Sequence, residues 1–188
     1  MIVSLPDSTE AITDEESLTT VPWFTYFQDI WKAIRGGLGI SIGGTISTDT
    51  DSTANSGSGE TTMMSHTVTP LKNNGDEVHI KAWGIYAANA NNKTIKLKFG
   101  SQTILDTGAI AANDGSWQIE ASIIRTAAAT QEIIATIISS NASVAESATR
   151  TAGTQDLTTS NDLIITGQGT SSDDVIQKAM VVKLTPID

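Results

Sequence analysis

Cysteine is missing from this chain, which excludes disulfides, thiolate metal sites and cysteine nucleophiles. Positive charge is scarce: 11 lysines and arginines stand against 21 acids, for a net charge of −10. The bases form no cluster able to neutralise phosphates, so nucleic acid is not expected as a partner. A polybasic membrane patch is excluded on the same ground. No apolar run approaches the ~20 residues that span a bilayer, so no membrane segment is expected. The opening stretch, Met1-Ile-Val-Ser-Leu-Pro-Asp-Ser8, has neither a basic leader nor a sustained apolar run, and no secretory signal is expected from it.

Aromatic residues are also few, 5% of the chain, but they are unevenly placed. Trp23, Phe24, Tyr26, Phe27 and Trp31 crowd into one short stretch. Pro22 suits the first position of a helix, and Gly36 and Gly37 offer the left-handed backbone that ends one. The sequence therefore predicts a helix over 22–35. Trp23, Phe27, Ile30 and Ile34 repeat at 4-3-4 spacing, and Phe24, Phe27, Trp31, Ile34 and Leu38 at 3-4-3-4. Two overlapping seams make a broad apolar stripe. Four turns are too short to be stable alone in water, so this helix requires something to pack on. Trp23, Phe24, Phe27, Ile30, Trp31, Ile34 and Leu38 are accordingly the candidate anchoring or oligomer-interface residues.

Around the predicted helix the organisation reads in four parts. Residues 1–21 are polar and acidic, with the run Asp14-Glu-Glu16, and read as an extended arm. Residues 22–36 hold the aromatic helix. Residues 37–59 are rich in Gly, Ser and Thr and read as a linker with one short strand at 40–47. Residues 60–188 alternate in period two through a series of strands: 61–69, 77–87, 94–99, 102–106, 117–126, 132–139, 162–167 and 175–185. Turn residues separate them, notably Asn89 to Asn92 and Asn113-Asp-Gly115. Such a series without intervening helices predicts an all-β, two-sheet antiparallel sandwich or jelly roll.

Within the strand at 77–87, Val78, Ile80, Ala82, Gly84 and Tyr86 share one face, and His79, Lys81, Trp83 and Ile85 the other. The second set is not cleanly polar, which points to contact with another subunit. Leu97 and Phe99 point inward while Lys96 and Lys98 point out. In the last strand Ile176, Lys178 (or a slip around it), Met180, Val182 and Leu184 form the expected inner set, and the imperfect alternation predicts a bulge.

The inventory for chemistry is thin. The two histidines, His66 and His79, have no carboxylate at a supporting spacing. No Gly-x-Ser-x-Gly elbow occurs. Asp49 with Asp51, and Asp173 with Asp174, lack an EF-hand pattern and read as turn formers. Gly36-Gly-Leu-Gly39 fails the dinucleotide pattern and precedes β structure. No enzyme activity, cofactor or metal is expected.

Residues 75–126 carry the phrases GDEVHIKAWGIYAANANNKTIKLKFG and GSWQIEASIIRT, and DLIITGQG follows at 162–169. These resemble the jelly-roll domain of trimeric virion structural proteins of tailed bacteriophages. The resemblance covers about 60–188. The Thr-x-x-Pro-Trp-Phe-x-x-Phe segment is similar to virion-anchoring segments of fibres and decoration proteins. The resemblance implies a homotrimer bound to major capsid or another virion protein, with the N-terminal part on the particle and the jelly roll outward. A protein of this kind is made in the host cytoplasm and works in the virion, on the capsid surface rather than the tail. The chain is short for a tail fibre, which favours a capsid cement (decoration) protein or a head fibre. A tail-fibre tip binding a host-surface glycan is the alternative. The helix would then pack on trimer mates, on capsid, or back on its own domain.

Overall fold

The computed structural model describes residues 43–143 and 146–187. Twelve strands make up the described chain: β1 (Gly44–Asp49), β2 (Thr53–Ser56), β3 (Thr61–Val68), β4 (Glu77–Tyr86), β5 (Asn92–Phe99), β6 (Gln102–Asp106), β7 (Ile110–Ala111), β8 (Ser116–Ala127), β9 (Thr130–Ser139), β10 (Glu146–Gly153), β11 (Asn161–Gln168) and β12 (Ser172–Thr185). The protein is all-β in this part, and every named strand pair is antiparallel. A seven-stranded sheet runs β1-β12-β4-β8-β9-β10, with β2 also on β12. A five-stranded sheet runs β3-β11-β5-β6, with β7 on β5. Together they form a β-sandwich.

Alternation decides which side chains fill it. On β4, Val78, Ile80, Ala82, Gly84 and Tyr86 are buried, while Trp83 and Ile85 are exposed. On β8 the inner set is Trp117, Ile119, Ala121 and Ile123, and on β9 Ile133, Ala135 and Ile137. They meet Ile95, Leu97 and Phe99 of β5 and Leu163 and Ile165 of β11 in one core. Gly84 is required by a close approach. A Cβ there would lie 2.0 Å from the Ile176 carbonyl oxygen and 2.6 Å from the Trp117 indole.

Three features depart from the expectations of sequence. Residues 37–59, read as a linker with one short strand at 40–47, hold two strands in their described part, β1 and β2, both paired to β12. β10, with the sequence ESATRTAG, has no apolar alternation to betray it. On β12 the expected bulge is present, between Gln177 and Ala179, but it leaves Lys178 exposed rather than in the inner set. Ahead of it Val175 and Gln177 are buried and Ile176 is only half-buried, so the inner set there is Val175, Gln177, Met180 and Val182. The extra residue shifts phase, and Ile176 leaves the inner face. The acidic arm, the aromatic helix and its candidate residues Trp23, Phe24, Phe27, Ile30, Trp31, Ile34 and Leu38 lie outside the described residues.

Candidate interaction surface

The outer face of the large sheet differs from an ordinary solvated sheet. Among the described residues, the exposed large apolar side chains are Ile46, Trp83, Ile85, Ile124, Ile134, Ile138 and Ile187, and all but Ile187 sit on strands of this sheet. Strand register intersperses them with polar side chains in cross-strand rows. One row places Ala179, Trp83, Gln118, Ile138 and Glu146 side by side across β12, β4, β8, β9 and β10. Another places Lys183, His79, Ser122, Ile134 and Arg150 together. Ile134 and Ile138 are 53% and 51% exposed, which is far more than a packed core residue retains.

Two depressions open on this face. A groove of about 520 Å³ is lined by Lys81, Trp83, Gln118, Ile138, Ser116 and Ser140, among others. A smaller one of about 220 Å³ lies among Ser122, Ile124, Glu132, Ile134 and Arg150. Two ion pairs lie on the face: Lys81 with Glu120 at 3.0 Å, and Arg150 with Glu132 at 2.7 Å. β10 closes the sheet with eight unshifted pairs to β9, and Glu146 to Arg150 are exposed on both of its faces.

Compared with known protein families and with curated proteins, the chain matches none. The reading of its surface therefore rests on geometry.

One end of the sandwich holds a buried polar cluster that sequence reasoning did not find. Lys93, on the inner face of β5, is fully buried. Its Nζ donates to Ala112 O (2.7 Å), Asn89 Oδ1 (2.8 Å), Asn91 O (3.0 Å) and Asn89 O (3.2 Å). Burial pushes the ammonium below its ordinary range, and the charge of Asp174 pulls it back up. Asp174, also fully buried, accepts from the backbone N–H groups of Thr170 (2.8 Å) and Ser171 (2.7 Å) and from the side-chain amides of Asn89 (2.7 Å) and Asn91 (3.1 Å). Burial alone would raise its carboxyl; these hydrogen bonds overcome that and leave it below the usual carboxylate range. A caged ammonium and a saturated carboxylate have no free valence for catalysis. Their work is to tie the β4–β5 and β11–β12 turns together. The alternation of NKTIKLKF gave the only hint, because Lys93 occupies an inner position there.

The remaining candidates from sequence are scattered. His66 lies on the small sheet and His79 on the large one, so the two do not face each other. Asp49 Oδ1 accepts from Asp51 N at 2.9 Å, closing a local turn. Among the described residues no three His, Asp or Glu are grouped to hold a metal.

Proposed function

We propose that this chain is a non-enzymatic structural protein of a tailed-phage virion, a homotrimeric capsid cement protein or head fibre. In this reading the N-terminal segment with its aromatic helix anchors the protein, and a jelly roll is exposed on the particle. The observation that carries the reading is strand order. β2 lies beside β12 in one sheet, and β3 lies beside β11 in the other. The opening strands β1 and β2 beside the last strand, and the next strand β3 beside the next to last in the opposite sheet, support a jelly roll, with β9 and β10 as a hairpin added at one edge. The phage-like phrases also fall on structural elements: KTIKLKFG covers β5 and its turn, Ser116-Trp117 opens β8, and DLIITGQG covers most of β11.

The test is the particle. Mass spectrometry of purified virions and gold-labelled antibody in electron microscopy are expected to find this protein in clusters on the head. Its absence from purified virions would refute the reading. A chain truncated to begin at Gly43 is expected to remain associated but to lose particle attachment.

A second reading, a receptor module binding a host-surface glycan, is favoured by one observation. The groove beside Trp83 combines an exposed indole with Gln118, Ser116, Ser140 and Lys81, and an aromatic wall with fixed hydrogen-bonding groups suits a sugar. A glycan array separates the two: binding abolished by Trp83→Ala would favour the receptor module.

A further inference from the structure

We propose that Asn74 is a self-modifying site gated by the segment that follows β12. With Ile187 seated, the Asn74–Gly75 turn is inert; when Ile187 lifts, the turn deamidates, and its isoaspartate product cannot reclose. The site stands independently of the virion reading.

Of all the asparagines in the chain, only Asn74 is followed by glycine. A following residue without a side chain leaves its backbone nitrogen open to attack the asparagine carboxamide, which makes such a pair the labile one. Asn74 is exposed, in the turn between β3 and β4.

The fold restrains both reacting groups. Gly75 N–H donates to Arg125 O at 2.7 Å, so the nucleophile is occupied. Asn74 Oδ1 accepts from Arg125 Nε at 3.3 Å, and Arg125 Nη1 also donates to Leu71 O. The guanidinium holds the carboxamide in place and draws electrons from its carbonyl. The electrophile is already polarised, and only the nucleophile is held back.

What holds it is the segment after β12. Buried Asp76 accepts through Oδ2 from Lys72 N and Asn73 N, both at 2.8 Å, and through Oδ1 from Ile187 N at 3.0 Å. Asn73 Nδ2 donates to Ile187 O at 3.0 Å. The Ile187 side chain lies so close to Gly75 that a Cβ there would collide with its Cδ1. Ile187 is itself 49% exposed, and an element with so little buried surface opens locally without global unfolding.

Once the clasp opens, Gly75 N gives its proton to solvent base and attacks Asn74 Cγ. The Cγ–Nδ2 bond breaks, ammonia leaves and a cyclic imide remains. Water then opens the imide at either carbonyl. One product is aspartate on a normal backbone; the other is isoaspartate, whose backbone runs through Cβ. One water is consumed and one ammonia released, with no other reactant. The isoaspartate backbone is longer by one atom, which the tight span from Asp76 N to Asn73 O (3.1 Å) does not accommodate. Opening is thereby recorded in one direction.

The experiment uses the full chain. Trypsin releases Asn74 in the peptide 73–81, where mass spectrometry with chromatography separates the asparagine, aspartate and isoaspartate forms. Chains are incubated at mildly alkaline pH, native or in urea. The native parent is expected to convert at least roughly tenfold more slowly than the unfolded chain. Ile187→Gly removes the wedge, and Ile187→Pro removes the N–H donated to Asp76. Each should convert several-fold faster than the native parent, with unchanged circular dichroism. A native parent that converts as fast as the unfolded chain overturns the gating. Folded Ile187 variants that convert no faster than the parent overturn the assignment of the gate to Ile187. An unfolded chain in which Asn74 stays intact overturns the site itself. Refolded chains carrying isoaspartate should lose hydrogen-exchange protection at the Gly75 amide, whereas Asn74→Asp made directly should keep it. Protection regained with isoaspartate overturns the one-way step.

Discussion

The two outer faces of this sandwich are built by the same alternation and finished differently. Outside the small sheet, Lys96 and Lys98 converge on Glu60, with Lys96 3.1 Å from it and 3.6 Å from Asp106. Thr67 donates to Asp162 at 2.6 Å. That face is spent on its own ion pairs and hydroxyl contacts, as expected of a surface that ends in water. Outside the large sheet, ion pairs are interleaved with Trp83, Ile124, Ile134 and Ile138. Inward-facing residues satisfy one requirement, exclusion of water. Outward-facing residues are free of that requirement, and the two sheets differ in what they expose.

The comparison is broken most severely by disturbing what both sheets share. Lys93→Met removes a buried donor shared by four oxygens of Asn89, Asn91 and Ala112 at the end where both sheets are tied together. Urea denaturation is expected to show a loss of about 3–5 kcal/mol, as for other broken buried charges. Next in size is a contrast within β9. Ile133→Ala, on the buried side, should cost about 2–5 kcal/mol. Ile134→Ala, one residue away and exposed, should leave monomer stability within about 0.5 kcal/mol. Equal effects at the two positions would abolish the distinction between inner and outer faces.

A smaller effect belongs to the small sheet. The Lys98 hydrogen bond, helped by Lys96 and opposed by burial, lowers the Glu60 carboxyl from 4.5 to about 2. A carboxylate held below its unfolded value stabilises the fold above that value, and the contribution is lost as pH falls from 4.5 through about 2. Because the side chains are partly solvated, the stake is on the order of 1 kcal/mol. Glu60→Gln should flatten stability against pH over that window, as measured by urea midpoints. The smallest effect is expected at Lys81–Glu120, whose side chains are 43% and 45% exposed. Glu120→Gln should change monomer stability by less than about 0.5 kcal/mol.

How much could be read from sequence varied strand by strand. β4, β5, β8 and β9 were legible because one face of each meets the core and must repeat apolar residues in period two. β2 was not, because TANS is held by a side chain: Asn55 donates to Gly57 O and Ser171 O and accepts from Val175 N, all at 2.8 Å. β10 was not, because Glu146 to Arg150 contact no core on either face. The candidate surface was half legible. The mixed set Lys81, Trp83 and Ile85 announced an unusual outer face, but Ile134 and Ile138 look like core residues until β9 is registered against β8.

Alternation alone announced the all-β character of the described residues and which residues of β4 and β5 turn inward. These are consequences of the pleat, which any local stretch expresses. Two tryptophans mark where local information ends. Trp83 and Trp117 both occupy strands, on adjacent positions across β4 and β8, yet Trp117 is buried against Gly84 and Trp83 stands 38% exposed in a groove. Which of them fills the core and which stays exposed depended on sheet order and register. Those are set by contacts between segments distant in sequence, and no single stretch contains them.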